Sequence, residues 1–200
     1  MTAGLLKPDS GDIRIFGIDA VANPIEARRI MAWLPDEPML YDKLTPLEYL
    51  EFVAGLWGVP TAAAMTRADE LIDVLELGPH CNKRCEGFSR GMKQKVALAG
   101  ALIHEPRLIM LDEPLTGIDA AIARQVKELL MARVRAGATI VLTTHILEVA
   151  ERLADRIGIV DRGRLVAEGT FAELKATAGQ SHSTLEDVFL SLTGREAVAP

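Results

Sequence analysis

Two short apolar runs constrain the fold most strongly: LIML at residues 108–111 and TIVL at residues 139–142, each followed at once by polar side chains. Strands that are apolar along most of their length are typical of the centre of a parallel sheet, where helices cover both faces. The two runs therefore predict an α/β fold with a mostly parallel sheet and helices on both faces.

Four further strands are expected around these two, at residues 13–16, 30–34, 156–160 and 164–167. The turn Asp161-Arg162-Gly163 joins the last two, which predicts a hairpin at the edge of the sheet. Between residues 42 and 77, two helical patterns follow each other without a strand. We interpret approximately residues 42–105 as a helical subdomain inserted into a single domain that spans residues 1–200.

Local signals predict where several helices begin and end. The apolar residues of MTAGLL, closed off by the turn signal PDSG, predict the end of a helix at the start of the chain. Capping boxes, in which a hydroxyl residue precedes a glutamate by three positions, predict helix starts at Thr45, Thr170 and Ser183.

Composition excludes several classes of protein. The net charge of −6 argues against a nucleic-acid-binding surface over the whole molecule. No apolar run approaches the roughly 18 residues of a membrane span, which predicts a cytoplasmic protein. Cys81 and Cys85 lie close to His80, but a metal site needs about four ligands, so we expect reduced thiols without a special role.

Asp112 and Glu113 follow the first apolar strand directly. Ligands of parallel sheets bind at the carboxyl ends of the strands, and strand alternation points these two side chains in different directions. One acid can therefore hold Mg²⁺, while the other can orient or deprotonate an attacking water. The alternative is a pair of surface acids at a strand-end turn.

His145 follows the second apolar strand. If the two strands are parallel, His145 comes to the same edge as the acid pair. A lone histidine after a strand is more often structural than catalytic, but its convergence with two acids favours a functional role.

A third element begins at Ser89, within the segment FSRGMKQK. Ser89 can cap the helix that follows, and Gly91 lets a ligand approach the backbone closely. The helix dipole and the free N–H groups of the first turn then favour an anion. A basic stripe surrounds this start (Lys83, Arg84, Arg90, Lys93 and Lys95), either as a site that receives phosphate or as a solvated helix face.

The order of these elements resembles the nucleotide-binding domain of ABC transporters over essentially the whole chain. FSRGM matches the signature motif, RLIMLDE matches Walker B, LTGIDA matches the D-loop and TTH matches the switch-histidine loop. Upstream, MAWLPDEPMLYDKLT resembles the Q-loop, and GLLKPDSGDIRIFG resembles the segment after the P-loop helix. The tail STLEDVFLSLTG is similar to that of ATPase subunits of ABC-2-type exporters.

The resemblance implies a P-loop NTPase-like fold, ATP and Mg²⁺ as cofactors, and a role for each matched residue. Asp112 would hold the Mg²⁺ shell and Glu113 would polarise the attacking water. His145 would contact the γ-phosphate, and Asp119 would act across the interface of a dimer.

In that head-to-tail dimer, Ser89 and Gly91 would bind the γ-phosphate of ATP held by the opposite subunit. Arg90 and Met92 replace the Gly and Gln of the usual signature, and we count them among the nucleotide-binding residues. Asp36 stands at the Q-loop glutamine position, where an acid could still reach the metal shell.

The P-loop motif G-x-x-x-x-G-K-[ST] is the main departure, because no Gly-Lys dipeptide occurs in residues 1–200. We expect the N-terminal strands and the P-loop to be missing, the motif belonging about ten residues before Met1 by the spacing of the family. Without the phosphate cradle, we expect negligible ATP hydrolysis by this chain alone.

The resemblance thus predicts the ATP-binding subunit of an ABC exporter, peripheral on the inner face of the cell membrane. Its partners would be a transmembrane permease and a second ATPase subunit, as a homodimer or a heterodimer, and no nucleic acid. One alternative is a pseudo-ATPase that completes the site of its partner. Another is a soluble ABC ATPase acting on nucleic acid or ribosomes, which the acidic composition disfavours.

Overall fold

A computed structural model describes residues 1–179 and 184–194 of the chain. The chain forms two compact units, Met1–Thr143 and Thr144–Pro200. The interpretation of residues 1–200 as a single domain stays a prediction. No helix among the described residues has the length and hydropathy of a membrane span.

A parallel three-stranded sheet lies in the first unit, with its strands side by side in chain order. Its strands are β3 (Met31–Leu34), β4 (Leu108–Asp112) and β5 (Thr139–Thr143). Leu34 pairs with Leu111, and Leu111 pairs with Leu142 on its other side. A short antiparallel pair, β1 (Arg14–Ile15) and β2 (Ile18–Asp19), precedes this sheet. The predicted α/β class with a parallel sheet is confirmed.

The two apolar strands differ in burial. In β4, Leu108, Ile109 and Leu111 are buried, as predicted. In β5, Thr139, Val141 and Thr143 are exposed, and 46% of Val141 is accessible to solvent. The expectation that both strands are buried on both faces is therefore wrong for β5. β4 has a strand on either side, whereas β5 pairs only with β4 among the described residues, and an apolar run alone does not distinguish the two positions.

Five helices complete the first unit: α1 (Pro24–Arg29), α2 (Pro46–Leu56), α3 (Thr61–Val74), α4 (Arg90–Leu102) and α5 (Ala120–Arg135). No strand interrupts residues 35–107, all of which are described, and α2, α3 and α4 pack against one another. Thr45 caps α2 in the predicted capping box with Glu48. Two short 3₁₀ turns, Gly78–His80 and Cys85–Gly87, lead from α3 to α4.

The helix expected at the start of the chain is absent. Residues 1–13 form turns, in which the backbone N–H of Gly4 donates to Met1 O at 2.7 Å, and Leu5 and Leu6 are exposed. Arg28 fixes this segment to α1 by donating from Nη2 to Gly4 O at 2.9 Å. A helix of about one turn fixes many dihedral angles for few hydrogen bonds, so a turn held by a side chain is favoured instead.

The second unit contains α6 (Leu147–Leu153), β6 (Ile157–Asp161), β7 (Arg164–Gly169), α7 (Phe171–Ala178) and α8 (Leu185–Thr193). The hairpin β6–β7 is confirmed, but it forms a two-stranded sheet of its own and not the edge of the larger sheet. The hydrophobic core of the second unit contains five buried residues: Ile157, Ile159, Leu174, Leu185 and Val188.

Capping boxes also begin α7 and α8. Thr170 forms the predicted box with Glu173. For α8, the predicted cap Ser183 lies outside the described residues, and the structure places the box one position later, at Thr184 and Asp187. Both spacings satisfy the rule of a hydroxyl residue three positions before an acid, so the sequence does not separate them.

Candidate functional site

The parallel register brings the predicted acids to one edge of the sheet. Asp112 ends β4 and pairs with Thr143, which ends β5. Asp36 comes two residues after the end of β3, and Glu113 comes one residue after the end of β4. Because all three strands run in the same direction, Asp36, Asp112 and Glu113 follow carboxyl ends at a common edge, where ligands of parallel sheets bind.

The neighbouring strand orients Asp112. Thr143 donates a hydrogen bond from Oγ1 to Oδ1 of Asp112, and the Asp112 side chain is only partly exposed. The hydrogen bond fixes one carboxylate oxygen and leaves acceptor capacity on the group. This arrangement suits a carboxylate that binds a cation through a small number of oxygen atoms.

Glu113 has a strained backbone. Its φ of +46° lies in the left-handed region, which costs a residue other than glycine about 1–2 kcal/mol. Hydrogen bonds hold it there: its N–H donates to Thr143 O at 3.0 Å, and its Oε2 accepts from Thr116 Oγ1 at 3.2 Å. Strain that is held in place by neighbours in this way is concentrated at functional sites of proteins.

Ser89 is the N-cap of α4, as predicted, and its Oγ accepts from the N–H of Met92 at 3.3 Å. Gly91 is needed for a reason that the sequence did not reveal. A Cβ built on Gly91 would overlap the carbonyl oxygen of Gly117, in the loop between β4 and α5. The close backbone approach at Gly91 is therefore made within the chain, and an approach by a ligand stays a prediction.

Acids from the loop after β3 neutralise part of the basic stripe. Nη2 of Arg90 lies 2.7 Å from Oδ1 of Asp36, and Nζ of Lys93 lies 2.8 Å from Oδ2 of Asp42. Two of the five cations of the basic stripe thus have partners within the first unit. The remaining role of the stripe in binding phosphate stays a prediction.

Asp119 is the N-cap of α5. Its Oδ1 accepts from the N–H of Ile122 at 3.0 Å, and its backbone is extended, with φ −65° and ψ 158°. Capping α5 is a sufficient reason for an acid at position 119, and it requires no second subunit. Its expected action across a dimer interface stays a prediction.

His145 follows Thr143 by two residues and belongs to the second unit. Its predicted convergence with the acid pair and its contact with a γ-phosphate stay predictions.

Sequence reasoning missed an apolar groove of about 240 Å³ in the first unit. It lies between the end of β3, α2 and α4, and the side chains that line it include Trp33, Met39, Tyr49, Val53, Trp57 and His104. The row Tyr49, Val53, Trp57 along α2 and its C-cap, at intervals of four residues, is the signal that could have revealed it.

Two polar groups lie within this groove. The His104 ring stacks on Trp57, with 4.3 Å between ring centroids, and Nε2 lies 3.2 Å from Met31 O. Burial lowers the pKa of His104 because it disfavours the charged imidazolium. Burial also raises the pKa of Tyr49 to about 12.

Comparison with known proteins decides the family. Residues 1–116 match the ABC transporter family, which is more than half of the chain. The chain belongs to the ABC transporter family. It is 39% identical over 181 residues to the daunorubicin/doxorubicin resistance ATP-binding protein DrrA of Streptomyces peucetius, a match that covers 90% of this chain and 55% of DrrA.

Two further matches extend over a larger share of the matched protein. The ABC-type transporter ATP-binding protein EcsA of Bacillus subtilis is 32% identical over 194 residues, covering 97% of this chain and 78% of EcsA. A solved structure of the ATP-binding subunit of an ABC transporter superposes with a TM-score of 0.91 at 34% identity, covering 96% of this chain and 80% of that one. These matches confirm the ABC transporter resemblance and the fold. The present chain spans about half of DrrA, since the match covers 55% of that protein.

Proposed function

We propose that this ABC family member is the ATP-binding subunit of an exporter, coupling ATP binding and hydrolysis to transport through a separate permease. The observation that carries the proposal is the common sheet edge at which Asp36, Asp112 and Glu113 follow their strands, together with the start of α4 held beside it by Arg90. The resemblance to DrrA, whose name describes a drug-resistance ATP-binding protein, supports export as the direction of transport.

The donors at this edge have the chemistry that Mg²⁺ prefers, namely carboxylate and hydroxyl oxygens. Asp112 would hold the ion, with Thr143 fixing the orientation of its carboxylate. Among the described residues, no cluster of three or more His, Cys, Asp or Glu could hold a metal ion by itself, so Asp112 would supply one ligand of a shell completed by others. The bound ion would neutralise phosphate charge.

Glu113 would orient the attacking water and accept its proton. Its backbone is fixed by Thr143, and Thr116 donates a hydrogen bond to its carboxylate. His145 would donate to the γ-phosphate. Asp119 would act at the interface with a second ATPase subunit.

In that dimer, the first turn of α4 would face ATP bound by the second subunit. Ser89, Gly91 and Met92 belong to the capped N-terminal turn of α4, whose partial positive charge favours an anion. Arg90 would add a positive charge. The homodimer and the heterodimer both fit this arrangement.

We expect residues 1–200 alone to hydrolyse ATP negligibly, because the sequence has no G-x-x-x-x-G-K-[ST] loop to hold the phosphates. The test is the release of phosphate from MgATP by the purified polypeptide and by its Glu113→Gln variant. Both should stay at the background rate. Magnesium-dependent turnover that disappears in Glu113→Gln would contradict the expectation and assign hydrolysis to this chain.

The apolar groove is the surface that we propose for the permease. Met39 is 81% exposed, and Trp33 and Trp57 are partly exposed beside it, which suits the apolar face of a cytoplasmic helix of the permease. Docking there would place the subunit at the inner face of the membrane.

Co-purification with the permease tests this contact. Met39→Glu introduces a charge into the groove with little effect on folding, and should reduce the amount of permease recovered. Met65→Glu is the matched control, because Met65 is 63% exposed on α3 and does not line the groove. Equal recovery with both variants would contradict docking at the groove.

A second candidate is a non-catalytic subunit that completes the site of a catalytic partner. The capped first turn of α4, which would face ATP held by the partner, is the observation that favours it. In this case the chain should stimulate ATP hydrolysis by a co-purified ATPase, and Ser89→Ala in this chain should remove the stimulation. Stimulation that survives Ser89→Ala, but is lost with Glu113→Gln, would favour the catalytic role.

A further inference from the structure

We propose that Asp36 is a positioning residue that holds Arg90 at the first turn of α4, in contrast to the role of metal ligand that its Q-loop position suggests. The inference rests on the proposed function, because it concerns the same candidate nucleotide site. It assigns one job to Asp36 and Arg90, two of the residues at which the chain departs from the usual Q-loop and signature patterns.

The geometry is that of an ion pair between distant parts of the first unit. Nη2 of Arg90 lies 2.7 Å from Oδ1 of Asp36, although the residues are 54 positions apart. Asp36 lies in the loop after β3, and Arg90 is the first residue of α4. With the guanidinium of Arg90 against Oδ1, a cation bound at this carboxylate would lie beside a positive charge, which disfavours it.

A second ion pair fixes the same loop to the same face of α4. Lys93, three residues after Arg90 and therefore on the same side of the helix, lies 2.8 Å from Asp42. Backbone bonds reinforce this end, since Glu86 N donates to Asp42 O at 2.8 Å and Cys85 N donates to Leu44 O at 3.0 Å. Residues 35–45 therefore lie along the start of α4 and along the 3₁₀ turn that precedes it.

The helix dipole explains why an acid belongs beside Arg90. A cation in the first turn is unfavourable, because the N-terminus of a helix carries partial positive charge. The carboxylate of Asp36 compensates the charge of the guanidinium. A neutral amide at position 36 would leave the cation of Arg90 uncompensated at the end of the helix, so we expect the first turn to open more often.

The pair is weak enough to be tested without unfolding the protein. The side chains of Arg90 and Asp36 are 51% and 45% exposed. Exposed ion pairs contribute little, so removing this one should change the local opening equilibrium by up to about fivefold.

Hydrogen exchange at the N–H groups of Met92 and Lys93, measured on residues 1–200 without nucleotide, tests the positioning role. Asp36→Asn should accelerate exchange there by up to about fivefold, and Asp36→Glu should preserve protection. In the background of Arg90→Gln, Asp36→Asn should have no further effect. An acceleration by Asp36→Asn that is the same with and without Arg90 would overturn the inference.

A matched control is the exposed pair Arg124–Glu128 on α5, whose nearest nitrogen and oxygen lie 3.0 Å apart. Glu128→Gln removes an exposed ion pair remote in sequence from the start of α4, and should leave exchange at Met92 unchanged. Acceleration at Met92 in Glu128→Gln equal to that in Asp36→Asn would mean a general loss of stability and would also overturn the inference.

The metal role is tested separately with Mn²⁺ and ATP, following free Mn²⁺ by electron paramagnetic resonance. Asp112→Asn should weaken Mn²⁺ binding, whereas Asp36→Asn should leave it unchanged. Equal weakening by the two variants would overturn the inference. If wild-type protein binds no Mn²⁺, the proposed nucleotide site loses support, while the exchange measurements still decide whether Asp36 positions Arg90.

Discussion

Gly91 and Gly117 approach so closely that a Cβ on Gly91 would overlap the carbonyl oxygen of Gly117. Gly91 is the second residue of α4, and Gly117, with φ +76°, lies in the loop that follows Asp112 and Glu113. The start of α4 and the loop after the acid pair therefore pack backbone against backbone. A displacement of either segment must be transmitted to the other.

Gly91→Ala tests this contact. The added methyl group meets backbone atoms, which cannot rotate away, so we expect the free energy of unfolding to fall by about 1–3 kcal/mol, as for other overpacked sites. Urea unfolding measures the change. Gly55→Ala in α2 is the matched control, because a Cβ there meets no atom within 4 Å and should stabilise the helix by about 0.5–1 kcal/mol. Equal stability of wild type and Gly91→Ala would show that the two segments separate easily.

The position of Asp112 and Glu113 could be predicted from the sequence because that position depends on local patterns. Apolar strands followed by polar residues place those residues at a sheet edge whenever the strands are parallel. The same reasoning failed for the burial of β5, since its apolar run is compatible with both a central and an edge strand. The pair Arg90–Asp36 was not predicted either, because it joins residues 54 positions apart and depends on the packing of α4 beside the sheet.

The backbone of Glu113 leads to a second prediction. At φ +46°, alanine keeps the strain of the left-handed region, whereas glycine adopts this conformation freely. Glu113→Gly should therefore be more stable than Glu113→Ala by about 1 kcal/mol in urea unfolding. At Glu128, within α5, the order should be reversed, because glycine weakens a helix. A Glu113→Ala variant as stable as Glu113→Gly would mean that the loop relaxes and that the strain is not maintained.

Asp119 allows a structural role to be separated from a role at an interface. Asp119→Ala removes the acceptor for Ile122 N and should lower the free energy of unfolding by about 1 kcal/mol. Asp119→Asn keeps the cap and should keep the stability, but it changes the charge. If Asp119 also acts across a dimer, Asp119→Asn should reduce ATP hydrolysis in the assembled transporter without changing stability. Unchanged hydrolysis in Asp119→Asn would mean that Asp119 acts only as the N-cap of α5.

Residue types alone did not reveal how the site is oriented. Thr143 fixes Asp112 from the neighbouring strand, and Thr116 contacts Glu113 from the next turn. Neither threonine forms part of a pattern that indicates catalysis. Their roles follow from the register of β4 and β5 and from the conformation of the loop, which are properties of the folded chain.

The pH dependence of stability is the final prediction, and it concerns His104 in the apolar groove. Burial holds the pKa of His104 below its usual value of about 6.5. The unfolded chain therefore binds a proton at this residue at a higher pH than the folded chain does. The stabilisation is fully present above about pH 6.5 and is lost as the pH falls from there through the pKa of the folded state.

Urea unfolding of wild type and His104→Gln, measured between about pH 7.5 and pH 5.5, tests this linkage. Wild type should lose stability over this range, and the loss should be smaller in His104→Gln. His80→Gln is the control for removal of a histidine elsewhere in the first unit. Hydrogen bonds lower the pKa values of three glutamates, Glu48, Glu86 and Glu173. These carboxyl groups titrate below the pH range of the experiment, and all the variants contain them. A pH dependence in His104→Gln as steep as in wild type would show that His104 does not control it.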